Sequence, residues 1–240
     1  MLAHNLLHGV SAQPCIPVAG EYGIVLSSAA LCEPVVQNLD AVLAALRDDE
    51  EAAEMRTLAQ AIETYIRAKD ENRPHLLSGA FAEDASVQMV VNTSAISFPP
   101  SMSGLDAIAD TLVRRFGQIN ENIYTFCLSH PPEEGHHDFT CRWLVGMTEK
   151  ENQTVRVGIG VYHWVFRKAL IEELKITIDA MQTLDPAVID PVIGWLSSLP
   201  YPWCPLEVAL KHAPDINDLA VILEHAKSLM GVRVATEQDY

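Results

Sequence analysis

Three runs of the chain are dense in β-branched and aromatic residues: 139–148, 154–167 and 171–182. Such residues fit a pleated sheet. The polar breaks between the runs, 149–153 and 168–170, are long enough only for tight turns. The pattern predicts a meander of long antiparallel strands with no helical crossover. At about 3.3 Å per residue a twelve-residue strand runs roughly 40 Å, about twice the usual length. Strands of that length twist and curl around a core.

Upstream, the apolar period becomes that of a helix. Val35, Val36, Leu39, Val42, Leu43 and Leu46 share one face of a helix beginning near Glu33. After an acidic run at 48–54, Met55, Leu58, Ile62, Tyr65 and Ile66 predict a second helix over 52–69. Pro74 suits the first turn of a short helix over 73–80. Residues 87–91 and 95–98 read as a hairpin closed by 92–94. Leu105, Ile108, Ala109, Leu112 and Phe116 predict a helix over 105–116. A strand over 123–129 opens the large sheet, and 131–135 is a loop.

Downstream of the meander, Pro186, Pro191, Pro200, Pro202, Pro205 and Pro214 cut the chain into short helices. The stripe Leu219, Ile222, Leu223, Ala226 and Met230 predicts a closing helix over 216–230, with Asp215 as N-cap and Gly231 as stop. At the other end, Pro14, Pro17, Gly20 and Gly23 make residues 1–30 an irregular arm. The chain thus divides into three regions: an N-terminal arm and helix (1–50), a strand-rich domain (51–183) and a Pro-rich helical extension (184–240).

Composition narrows the partners. Among 240 residues, 32 are acidic and 16 basic, a net charge of −16. Nucleic acid and anionic membrane surfaces both require a basic face, so neither is expected as a partner. There is no apolar run of about 18 residues to span a membrane. The first residues have neither a basic stretch nor a continuous apolar stretch, so no leader is expected. The five cysteines are odd in number and show no CxxC spacing. They read as reduced, packed thiols in a cytoplasmic protein.

The order helix, short helix, hairpin, helix, curved antiparallel meander resembles the cone-shaped α+β fold of the nuclear transport factor 2-like superfamily. Local segments carry the same resemblance: Glu63-Thr-Tyr-Ile-Arg, Phe81-Ala-Glu-Asp-Ala-Ser-Val and Gly104-Leu-Asp-Ala-Ile in the first half, then Arg142-Trp143, 162–166 and 171–179 in the closing strands. They cover about residues 52–182. The flavour is similar to the SnoaL-like group of polyketide cyclases, with ketosteroid isomerase and limonene-epoxide hydrolase relatives. The resemblance implies a curved sheet wrapped around the first helix, an apolar pocket at the open end of the cone for a small apolar molecule, and a homodimer formed through the sheet. Fold alone does not set the chemistry, so the site residues must.

By that resemblance Tyr65 stands where ketosteroid isomerases place a phenol that donates to a developing enolate, and Tyr162 where they carry a second donor. Neutral phenols can form such a pair. Strand alternation puts Tyr162, Trp164 and Phe166 on one face and His163 on the other. The position of the isomerase base falls at Met89, and that of the epoxide-hydrolase carboxylate at Ile176; neither side chain can take a proton. Leu174, Ile176, Ile178 and Ala180 make one apolar strand face, with Asp179 opposite it as a structural residue. His130, in a loop with His136, His137 and Asp138, is the candidate base if that loop folds over the mouth. The spacing of this cluster matches no standard zinc pattern, and no metal or cofactor is expected. Trp143 is a candidate pocket wall, with its face left open, and Arg142 a candidate partner for a carboxylate.

Two readings stand side by side. In one, Tyr65 and Tyr162 polarise a carbonyl and His130 moves the proton, in an isomerase-, cyclase- or dehydratase-type enzyme; Met89, Trp143, Trp164, Phe166 and Ile176 line the ligand. In the other, the cone is a non-catalytic ligand-binding or assembly module. Cavity volume separates them, since useful ligand sites run to about 300 Å³ or more and one below about 100 Å³ holds no ligand of that kind.

Overall fold

The computed structural model describes residues 57–133 and 135–228. The arm at 1–30, the helix expected from Glu33, residues 52–56 of the second helix, and the helix end at Met230 and Gly231 lie outside the described residues.

Helix α1, Leu58–Asp70, begins at Thr57 in a capping box: Thr57 Oγ1 accepts from the Gln60 amide at 3.1 Å, and Gln60 Oε1 accepts from the Thr57 amide at 3.0 Å. A 3₁₀ turn, Pro74–Gly79, leads into strand β1, Phe81–Val91. Strand β2 is Ser101–Ser103. Helix α2 then runs over 105–119 in three pieces: Leu105–Ile108, a π-helical stretch Ala109–Arg115, and Phe116–Ile119. Strands β3 (Asn120–Cys127), β4 (Asp138–Glu149), β5 (Val155–Arg167) and β6 (Leu170–Leu184) form the meander. Helices α3 (Ile189–Ser197), α4 (Leu206–Lys211) and α5 (Asn217–Ser228) come after it.

The six strands form one curved, unclosed sheet in the order β2-β1-β6-β5-β4-β3. The fold class is α+β, as the resemblance implied. The sheet is mixed rather than wholly antiparallel, because β1 pairs parallel to β6, with Met89 beside Ile176 and Val91 beside Ile178. The partner of β1 also differs from the expected hairpin. Residues 95–98 are irregular, and it is Ser101–Ser103 that pairs antiparallel with β1. A three-residue serine-rich edge strand carries no hydrophobic alternation, whereas Ile96 and Phe98 pack on the core as loop residues.

Alternation along β4 and β5 feeds two cores. Cys141, Trp143, Val145, Met147, Tyr162, Trp164 and Phe166 face inward onto α1 and α2. Leu144, Val155, Val157 and Ile159 face outward under α3–α5, where Trp195 Nε1 donates to the Ala209 carbonyl at 3.1 Å. The C-terminal helices therefore cover part of the outer sheet face. In β6 the register slips at Asp179. A one-residue bulge reverses the facing of the strand beyond it. Ala180, expected inward with Ile178, thus joins the outer core, and Met181 takes the inward place.

Residues 201–204 strap the extension back onto the cone. Trp203 Nε1 donates to Glu63 at 2.7 Å, the Tyr201 hydroxyl donates to Asp70 at 3.0 Å, and the Cys127 amide donates to the Pro202 carbonyl at 2.8 Å. Helix α5 starts at Asn217, two residues after the expected cap Asp215. Among the described residues no helix is long and apolar enough to cross a membrane.

Candidate functional site

The site is built on the inward face of α1. Residues Ile62, Tyr65, Ile66 and Lys69 fall at helical spacing, and all four are buried. Tyr65 is wholly enclosed, edge-on to Phe81 (centroids 5.4 Å apart), Trp164 (5.6 Å) and Tyr162 (6.3 Å). Tyr162 in turn leans on Trp164 at 4.9 Å and Trp143 at 5.6 Å. Edge-to-face contacts of this kind add to the burial of each ring.

Tyr65, Tyr162 and Trp143 line a cavity of about 50 Å³. Of the expected site residues, Tyr65, Tyr162, Met89, Ile176 and Trp143 line it. Trp143, whose face the sequence left open, points inward. Trp164 and Phe166 do not line the cavity; they are buried core, packed toward the other end of the cone. His130 is also not at the cavity. It is exposed on the β3–β4 connection, whose far end, Asp138, pairs with Val165. The wall residues of β4 are Trp143, Val145 and Met147, five to nine residues further along. The near end of the connection is at Leu128, whose amide donates to the Arg142 carbonyl at 2.8 Å, and the chain runs from there toward Asp138, away from Val145 and Met147. Arg142 and Asp179 are also off the cavity. Asp179 accepts from Asn92 Nδ2 at 3.3 Å. Burial pushes the Arg142 pKa down, and the Asp179 charge works against that.

The sequence reading missed Lys69. It lines the cavity at 6% exposure, one helical turn beyond Tyr65, and its stem continues the apolar stripe. Its Nζ donates to Asp70 at 2.6 Å and to Thr125 Oγ1 at 2.7 Å, and lies 4.9 Å from the centre of the Phe116 ring. A lysine at i+4 from a buried tyrosine, followed by an aspartate, was the available signal. Asp70 is saturated as well: it accepts from the Thr125 amide at 2.7 Å, from the Thr125 hydroxyl at 2.8 Å and from Tyr201.

Three donors in this interior have no hydrogen-bond partner, the Tyr65 hydroxyl, Trp143 Nε1 and Trp164 Nε1, and the first two belong to residues that line the cavity. Burial, followed by the Asp70 charge, raises the Tyr65 pKa; the nearby Tyr162 phenol opposes the shift. Burial raises that of Tyr162 too, with the neighbouring Tyr65 next in weight. Both phenols stay protonated and can act as hydrogen-bond donors. None of the described residues lining the cavity is a carboxylate or an imidazole, and its one lysine, Lys69, is held by Asp70 and Thr125. Among the described residues no group of three or more His, Cys, Asp or Glu is placed to hold a metal ion.

The fold and site together define a class: an α+β fold whose curved, unclosed sheet packs on helices over an apolar interior. The curved α+β sheet with helices that the resemblance implied is present. The chain is similar to a hypothetical protein with a ketosteroid isomerase-like fold from Catenulispora acidiphila, solved with trimethylamine: 17% identity, 49% of this chain and 83% of that one, TM-score 0.40. It is similar to an NTF2-like protein from Burkholderia thailandensis at 14% identity, over 52% and 92% of the two chains, TM-score 0.42. It is also similar to a putative isomerase from Bacillus subtilis at 10% identity, over 56% and 91%, TM-score 0.42. No family model and no curated protein matches the sequence.

Proposed function

We propose that this protein is a non-catalytic binding or assembly module built on the cone fold, with the interior filled by its own side chains. The observation that carries the reading is the cavity: about 50 Å³, against about 300 Å³ or more for ordinary small-molecule sites. That volume holds one or two waters, each with a share of about 30 Å³. The lack of a carboxylate or imidazole among the described lining residues supports the same reading; by the resemblance, Met89 and Ile176 stand where ketosteroid isomerases and epoxide hydrolases carry carboxylates. The test is a titration with small apolar ketones, followed by Trp143 indole NMR and by hydrogen–deuterium exchange at the ketone α-carbon. No saturable shift and no exchange are expected. Exchange catalysed by the protein and lost in Tyr162→Phe overturns the proposal.

One observation favours a second reading, a carbonyl-binding pocket. Tyr65 Oη and Trp143 Nε1 are buried donors without acceptors, and the flexible side chains of Met89, Met147 and Met181 form part of the wall. In that case a ketone shifts the Trp143 indole saturably, and Tyr65→Phe abolishes the shift.

A further inference from the structure

A second cavity, of about 390 Å³, adjoins the first. Ile96, Phe98 and Phe116 line both and form the partition between them. With Ile119 they give the outer cavity an apolar floor. Ile119 is 52% exposed, one of the few large apolar side chains left open to solvent among the described residues. The rim is basic. Arg115 lines it with a side chain 67% exposed, and Arg114, next to it in the chain, is exposed too. The Asp110 carboxylate that pairs with Arg115 at 2.7 Å is itself half in water, and an exposed pair of that kind contributes little.

An aromatic ring suits that floor, and acidic side chains suit that rim. The chain beyond α5 carries both. Residues 229–240 lie outside the described residues, and past the helix stop expected at Gly231 they read Val232-Arg-Val-Ala-Thr-Glu-Gln-Asp-Tyr. Glu237 and Asp239 thus flank one aromatic residue, Tyr240. The segment can reach the cavity. Helix α5 packs outside β5 and β6, in one core with Val155, Val157 and Leu184. Arg156, between those two valines, turns to the other face and lines the cavity. Helix and cavity therefore lie on opposite faces of the same end of the sheet. The helix is roughly 18 Å long, and a layer of sheet with its side chains is about 10 Å thick. Nine extended residues span roughly 30 Å, enough to pass over the rim from either end of the helix.

We propose that residues 232–240 fold back over the rim of the sheet into this outer cavity. The Tyr240 ring lies on Ile96, Phe98, Phe116 and Ile119, and the Glu237 and Asp239 carboxylates meet Arg115. A ring of this size covers the floor, and an aromatic anchor in an apolar seat carries most of the energy of such a contact. The cavity of about 300 Å³ beside Tyr201 is no rival seat, because Asp70 and Glu71 in its wall repel an acidic segment. The inference goes beyond the proposed function and concerns a different cavity, which serves the protein's own chain.

The test is NMR of the full chain with labelled isoleucine methyls and aromatic rings. An NOE between the Ile119 methyl and the Tyr240 ring is expected, with the same strength after about tenfold dilution, since an intramolecular contact does not follow mass action. Tyr240→Ala shifts the Ile119 methyl resonance, and Tyr240→Phe keeps the NOE to the ring. Arg115→Glu weakens the NOE, and Glu237→Arg with Asp239→Arg in the same chain restores it. All of these positions are exposed or beyond α5, so near-UV circular dichroism of the buried tryptophans is unchanged in each variant. The inference is overturned by no NOE, by an unmoved Ile119 methyl in Tyr240→Ala, or by a full-strength NOE in Arg115→Glu. An NOE that fades on dilution also overturns it, and makes the occupant a second copy of the chain.

Discussion

The Tyr201 hydroxyl donates to Asp70 Oδ2 at 3.0 Å across 131 residues of sequence. That bond joins the C-terminal strap to the end of α1, at a carboxylate that also holds Lys69 and Thr125. Asp70 balances a lysine that is itself buried, so its two kinds of partner differ in cost. Asp70→Ala leaves Lys69 uncompensated and is expected to destabilise by about 3–5 kcal/mol. Tyr201→Phe removes one bond to a charged acceptor and costs about 1.5–3 kcal/mol. Urea denaturation measures both, and equal losses contradict the central role given to the Lys69–Asp70 pair.

The Tyr65 hydroxyl has no partner in the closed cone. Tyr65→Phe keeps the ring contacts and removes an unsatisfied polar atom. It is expected to change stability by less than about 1 kcal/mol, in either direction. A larger loss in thermal or urea unfolding means that an acceptor occupies the cavity in solution, which favours the carbonyl-binding reading.

Gly160 lies where β5 passes closest to its neighbours. A Cβ there meets the Thr177 backbone carbonyl, and comes within 2.6 Å of the Trp143 indole. A backbone atom cannot swing aside as a side chain can. Gly160→Ala is therefore expected to cost about 1–3 kcal/mol or more, with a shift in Trp143 fluorescence. A neutral result in chemical denaturation rejects the close approach.

Tyr65 and Tyr162 have folded pKa values raised above the ordinary value of roughly 10, chiefly by burial. Below roughly pH 10 both states keep the proton and nothing changes. Above it the unfolded chain loses protons that the folded chain retains, so stability falls as pH rises toward the folded values. Each phenol contributes a slope of up to about 1.4 kcal/mol per pH unit. Denaturation at about pH 9 and about pH 11 is expected to show this loss, and Tyr65→Phe to reduce it. An unchanged slope in the variant refutes the assignment.

The meander strands and the inward helix face were legible because their periods are those of buried strands and helices. Alternation grouped Tyr162 with Trp164 and Phe166 and the resemblance put it in the pocket; all three face inward. The misses have local causes. Ala180 turned outward because a bulge at Asp179 leaves no mark in the hydrophobic pattern. Residues 95–98 look like a strand, yet Ile96 and Phe98 plug the space between the two cavities. Lys69 was passed over because a lysine on an apolar stripe reads as the end of the stripe, while its ammonium is retained by Asp70 and Thr125. His130 was a matter of which end of the sheet a loop occupies, and a single sequence does not encode that in its periodicity.

The parallel pairing of β1 with β6 sets Phe81 opposite Ile171 and Val91 opposite Ile178. During synthesis α1 and β1 leave the ribosome well before their partner strand exists. Of the sheet pairings of β1, only the three-residue edge β2 is available early, and the cover of the inward stripe of α1 is complete only when β6 emerges. Such non-local pairing slows folding and exposes apolar surface on the way. A nascent chain halted just before residue 170 therefore holds a cone that cannot close, and it is the species a chaperone would meet.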